Sequence, residues 1–160
     1  MKMTQEAEAV VETLKEHEQA LARLYEVYAE KFPEFEQFWT ELSREEIQHA
    51  NWLIILRDRI EKSDEDFVVE RFPIATIEHS IGYVTQLADR AHQSDFLLMN
   101  ALSTALQLER ALIENKYFEI FEGDGADTRH TLTLLAQSTQ IHYKKLYETW
   151  RELKDMEPSY

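Results

Sequence analysis

Apolar residues recur along this chain at steps of three and four over long runs, the spacing of amphipathic helices rather than of strands. Over residues 4–31 the stripe reads Leu14, Glu18, Leu21, Tyr25, Tyr28, Phe32. Over 34–61 it reads Phe35, Trp39, Leu42, Glu46, His49, Leu53, Leu56, Ile60. Over 94–122 it reads Met99, Leu102, Leu106, Glu109, Ile113, then Lys116 or Tyr117, and Ile120. The last, starting at Asp127 or Thr128 and running to 155, reads Leu135, Ser138 or Thr139, His142, Leu146, then Thr149 or Trp150. Phe32-Pro33 separates the first pair of helices, and proline suits the first turn of the second. Gly123-Asp124-Gly125 separates the second pair. Short connections make each pair an antiparallel hairpin. Between the hairpins lie about thirty residues, in which Ile74, Ile77, Ile81, Val84, Leu87 and Ala91 mark a further short helix. The expected architecture is all-α: one domain of four long helices with a helical crossover.

Composition agrees. The 160 residues contain only three glycines and three prolines, too few for the many turns of a sheet protein. A formal charge of −14 repels a polyanion, so nucleic acid is excluded as a partner. No run approaches the roughly 20 apolar residues of a membrane span, and no basic amphipathic stretch suits a membrane surface. The first sixteen residues are too polar and acidic for a signal peptide, so the cytoplasm is the expected compartment. With no cysteine, disulfides, thiolate metal sites and thiol nucleophiles are excluded, and any metal must be held by oxygen and imidazole nitrogen.

The chemistry lies where the stripes stop being apolar. Glu18, Glu46, His49, Glu109 and His142 each stand near the middle of a core-facing stripe. Bundling four helices of similar length brings their midpoints to one level, so five polar groups would meet in the interior. Buried carboxylates cost several kcal/mol each unless they bind a cation, pair or take up protons. Three glutamates and two histidines suit Fe²⁺, Mn²⁺ or Zn²⁺. Glu46 and His49, three apart, share one helix face. A weak internal repeat supports the pairing: Glu18-Gln19-Ala20-Leu21 resembles Glu109-Arg110-Ala111-Leu112, and a histidine follows each glutamate 31 or 33 residues later, from 18 to 49 and from 109 to 142.

The bland alternative is that Glu18 and Glu109 face outward on rotated helices and His142 is an ordinary core histidine. His17, His79, His92 and His130 lack matching partners and read as surface or capping groups. Tyr25, Tyr28 and Tyr117 read as packing, Trp39, Trp52 and Trp150 as packing or interface residues, and 61–70 as solvated acidic surface. Leu97, Leu98, Leu108 and Leu112 exceed one core face, which points to a helix–helix homodimer.

With Glu18-x6-Tyr25 and Arg44-Glu45-Glu46-Ile47-Gln48-His49-Ala50, the first hairpin resembles the diiron domain of rubrerythrins and bacterioferritins, and the resemblance extends over all four helices, nearly the whole chain. It implies a ferritin-like bundle in which each hairpin supplies a glutamate from one helix and Glu-x-x-His from the other. Carried over, Glu46 and Glu109 bridge or chelate, Glu18 is a terminal carboxylate, and His49 and His142 are terminal nitrogen ligands. One position departs: the second motif reads Thr139-Gln140-Ile141-His142, with threonine for the fourth carboxylate. Three carboxylates leave one positive charge over on two divalent ions. Helical geometry offers no replacement, since Glu114 lies about 140° round from Glu109 and Glu45 about 100° from Glu46. The resemblance implies one or two iron ions per chain and a peroxidase- or ferroxidase-type activity fed by an external electron donor. The residues leave open a non-catalytic bundle with a relict or single-metal site, acting as a structural or interaction module.

Overall fold

The computed structural model of the chain describes residues 5–62, 67–69, 74–115, 121–123 and 126–156. Among these residues it forms a bundle of five helices: α1 (Gln5–Lys31), α2 (Glu36–Lys62), α3 (Ile74–Arg90), α4 (Leu98–Glu114) and α5 (Ala126–Asp155). A 3-10 turn, Pro33–Phe35, joins α1 to α2, with proline in its first turn as expected. Two three-residue strands, β1 (Phe67–Val69) and β2 (Phe121–Gly123), pair antiparallel, with Val69 opposite Phe121 and Phe67 opposite Gly123.

The stripes fold inward as read. Leu14, Leu21, Tyr25 and Tyr28 of α1 and Phe32 just after it are buried with Trp39, Leu42, Leu53, Leu56 and Ile60 of α2, and Leu135 and Leu146 of α5 join the same continuous core. The helices of the first hairpin approach closely where small residues meet: Ser43 Oγ donates to the Ala22 carbonyl at 2.8 Å. Helix α3 seals one side of α1 with Ile77, Val84 and Leu87. It runs from Ile74 to Arg90, the span that the stripe from Ile74 to Ala91 marks.

Helix α4 departs from expectation at both ends. It starts at Leu98 rather than near Ser94, because Phe96 is drawn into an aromatic cluster, stacked at 5.7 Å on Tyr28 and 6.2 Å from Phe32. The Leu97 N–H then finds the Asn100 side chain at 2.8 Å, which caps the new start. It ends at Glu114 rather than 122, and Phe121–Gly123 lie in the strand pairing instead. Opposite them are the β-branched Val68 and Val69, within the run read as acidic surface. The buried face of α4 is Ala101, Leu102, Ala105, Leu108, Glu109 and Leu112, so Met99, Leu106 and Ile113 sit at its edge. Lys116, Tyr117 and Ile120 lie outside the described residues. Of the four leucines that pointed to a helix–helix contact, Leu108 and Leu112 are buried within the chain, Leu98 is half-buried and Leu97 is exposed.

Among the described residues no helix is long and apolar enough to cross a membrane.

Candidate metal centre

Glu18, Glu46, His49, Glu109 and His142 are all at most 1% exposed and lie at one level of the bundle. Each sits one helical step from a large apolar neighbour on its own stripe, so the packing that buries the leucines also buries these groups.

Glu46 is central. Its Oε1 lies 2.9 Å from His142 Nδ1 and its Oε2 lies 3.1 Å from His49 Nδ1. The two imidazoles stack face to face, with centroids 5.0 Å apart and planes 18° from parallel. The same Nδ1 of each ring also faces another carboxylate: Glu18 Oε2 is 3.7 Å from His49 Nδ1, and Glu109 Oε1 is 3.6 Å from His142 Nδ1. The arrangement is nearly symmetric about Glu46, one half built by α1 and α2, the other by α4 and α5.

Electrostatics follow from this crowding. Burial and the nearby Glu46 carboxylate push the Glu18 carboxyl up to about 8. Burial alone would strip the proton from His49, but Glu46 and Glu18 outweigh it and push the imidazole up to about 10. His142 is likewise raised against the pull of burial, by Glu109, Glu45 and Glu46. Acids and imidazoles thus share protons between them.

These donors fit a metal ion. One ligand atom from each of Glu46, His49 and His142 lies within 4.8 Å of the others, so this buried group can hold a metal ion. Separations near 3 Å are the edges of a coordination shell with bonds of about 2.1 Å to oxygen and imidazole nitrogen. Glu18 Oε2 and Glu109 Oε2 are buried and accept no hydrogen bond. A carboxylate oxygen in that position is costly unless a cation meets it.

Thr139 is buried on the same face as His142, but its hydroxyl is committed to the Leu135 carbonyl at 2.9 Å. It offers no charge. Glu114 is exposed and bound to Arg110 at 2.8 Å, which removes it from the site.

Three features were not anticipated. The first is Glu45: although it leaves α2 well round from Glu46, its carboxylate pairs with His142 Nε2 across the α2–α5 seam. The second is Ser138, whose hydroxyl lies 2.7 Å from His49 Nε2. Its half-buried position on α5 was noted only as an alternative to Thr139. The third is His17, read as surface but 2% exposed and bonded through Nε2 to Ser80 Oγ of α3 at 2.8 Å. Burial lowers its pKa, against the pull of Glu18. The signal was there: Val10, Thr13, His17, Ala20 and Leu24 form a second stripe along α1, facing α3. His79, His92 and His130 are exposed, as expected.

Aromatic residues wall the centre. Tyr25 donates its hydroxyl to Glu109 Oε1 at 2.9 Å and packs 5.7 Å from the fully buried Trp39. Trp52, half-buried, stacks on His49 at 5.6 Å.

No family model, curated protein or solved structure matches the chain.

Proposed function

We propose that this chain is a ferritin-like, non-haem metal protein whose buried centre takes two divalent ions, iron foremost, and serves an oxidoreductase of rubrerythrin type. One observation carries the reading: a single buried carboxylate, Glu46, presents its two oxygens to the Nδ1 atoms of two histidines from different helices, with a further carboxylate near each of those Nδ1 atoms. Glu18, Glu46 and His49 would hold one ion, and Glu46, Glu109 and His142 the other. The long crossover between hairpins α1–α2 and α4–α5 suits the ferritin-like connection.

Bound iron would supply reversible one-electron chemistry toward peroxide or dioxygen. The protein's part is to bind, orient and exclude. Buried leucines and aromatics keep bulk water out. Glu46 fixes the separation of the two imidazoles. Ser138 and Glu45 engage the outer Nε2 atoms, which leaves each Nδ1 facing inward and free to ligate once its proton is lost. Tyr25 orients Glu109. Turnover needs a reductant, which these 160 residues, without a cysteine for an iron–sulfur relay, do not supply.

A second reading is favoured by the compactness of Glu46, His49 and His142 beside the more distant Glu18 and Glu109: one ion only, Zn²⁺ or Mn²⁺ included, in a bundle without redox chemistry. Metal analysis of the purified protein separates the two. One to two iron ions per chain supports the leading reading, a single redox-silent ion supports the second, and less than about a tenth of an ion per chain rejects both, since a structural or catalytic site of this kind holds its metal tightly.

A further inference from the structure

We propose that Glu45 stands in for the carboxylate that Thr139 replaces, acting through the imidazole of His142 as a positioning residue; this rests on the metal-centre reading above.

The two hairpins contribute equivalent positions. Counting back from each histidine, Glu46 corresponds to Thr139 and Glu45 to Ser138. Each member of the second pair reaches across to the histidine of the other hairpin: Ser138 to His49 Nε2, Glu45 to His142 Nε2. So the outer nitrogen of one imidazole meets a neutral hydroxyl, and that of the other meets a carboxylate. The carboxylate serves the histidine of α5, the helix whose own motif has lost its glutamate.

Charge explains why this pairing matters. Glu18, Glu46 and Glu109 bring three negative charges to two divalent ions, leaving one positive charge in a low-dielectric interior. Glu45 supplies the fourth. It stays outside the shell, 47% exposed at the side chain, while its partner His142 is 1% exposed. An imidazole whose Nε2–H donates to a carboxylate is a stronger, more anionic ligand at Nδ1. With the imidazole proton held at Nε2 by this pairing, the tautomer is set and Nδ1 is left for the metal.

The test reads the two histidines separately. Zn²⁺, diamagnetic, is titrated into the full chain while the imidazole nitrogens of His49 and His142 are followed by NMR, assigned through His49→Ala and His142→Ala. Glu45→Gln keeps an acceptor carbonyl at Nε2 and removes only the charge, and its half-exposed position spares the core. The proposal expects Zn²⁺ binding at His142 Nδ1 to weaken by about 10- to 100-fold in E45Q, with the His49 titration unchanged. It further expects Thr139→Glu in the E45Q background to restore most of the loss. If His142 titrates in E45Q as in the native chain, if both histidines weaken alike, or if Thr139→Glu brings no rescue, the proposal is overturned while the metal centre stands. If neither histidine of the native chain responds to Zn²⁺, the metal-centre reading falls and takes this proposal with it.

Discussion

The two halves of the centre share a plan and differ in detail. In the first, Glu18 of α1 and His49 of α2 meet with a serine at the outer nitrogen of the imidazole. In the second, Glu109 of α4 and His142 of α5 meet with Tyr25 donating to the glutamate and a carboxylate behind the imidazole. Distances between the paired groups agree to 0.1 Å, 3.7 against 3.6 Å. Backbone placement is therefore duplicated, while the surrounding polar groups are not. The lesson is that an apolar bundle fixes where ligands stand, whereas the groups one layer out decide how much charge each half carries.

Glu46 is the element common to both halves, and removing it is the largest perturbation available. Glu46→Ala strands two stacked imidazoles without the carboxylate between them. Metal content should fall below about a tenth of an ion per chain by elemental analysis, since both subsites lose a ligand together. The metal-free fold should lose roughly 3–5 kcal/mol in urea unfolding, the usual cost of removing one partner of a buried charged group. Retention of one ion would show that the halves bind independently of their shared carboxylate.

Protons and metal compete for the same atoms, which gives the next effect. Glu18 keeps its proton up to about 8, through burial and the nearby Glu46 carboxylate, and His49 keeps its own up to about 10, held by Glu46 and Glu18 against the pull of burial. A divalent ion must displace these protons to bind. Affinity for Zn²⁺ or Mn²⁺ should therefore rise with pH through the neutral range, on the order of tenfold per pH unit for each proton released. Calorimetry in buffers of different ionisation enthalpy counts the protons directly. An affinity independent of pH would place the bound ion away from Glu18 and His49, and so away from the first half.

Much of this centre was legible before any coordinates, for a physical reason. A charged residue on an otherwise apolar stripe must go inside if the helix packs at all, so Glu18, Glu46, His49, Glu109 and His142 were marked by their neighbours. Period and turn residues likewise located α1, α2, α3 and α5. The ends of α4 were not legible, because they depend on contacts remote in sequence: Phe96 docking on Tyr28 and Phe32, and Phe121–Gly123 pairing with Phe67–Val69. Glu45 escaped for a similar reason. Its angle from Glu46 turns it away from the other ligands of α2, but its partner belongs to another helix, and a side chain of that length reaches round the seam. His17 was not legible because α1 is buried on two faces, and the apolar stripe through Glu18 marks only one of them.

The phenol of Tyr25 is the difference between the two glutamates, and Tyr25→Phe tests it. The substitution keeps the ring packed near Trp39 and Tyr28 but removes the one donor given to Glu109 Oε1 by a tyrosine. A buried acceptor left without its donor costs about 1–3 kcal/mol. The metal-free protein should lose stability on that scale in urea unfolding. Loading with Zn²⁺ should narrow the gap, since the ion then meets the same carboxylate. An unchanged metal-free midpoint would show that Glu109 does not depend on the phenol of Tyr25.

The smallest effect belongs to the outer layer of the first half. Ser138→Ala removes the hydroxyl 2.7 Å from His49 Nε2. It takes away a neutral hydrogen bond and no charge, and the Nε2 atom lies near a half-buried position that water can reach. A neutral bond of this kind contributes about 0.5–1.5 kcal/mol, so Zn²⁺ binding at His49 should weaken only a few-fold, with His142 unaffected. The contrast with Glu45→Gln is the informative quantity. If the layer behind the imidazoles acts only by holding the rings in place, the two substitutions should weaken their respective histidines alike. If charge is what that layer adds, the carboxylate side must lose more than the hydroxyl side, although both contacts span the same seam between α2 and α5.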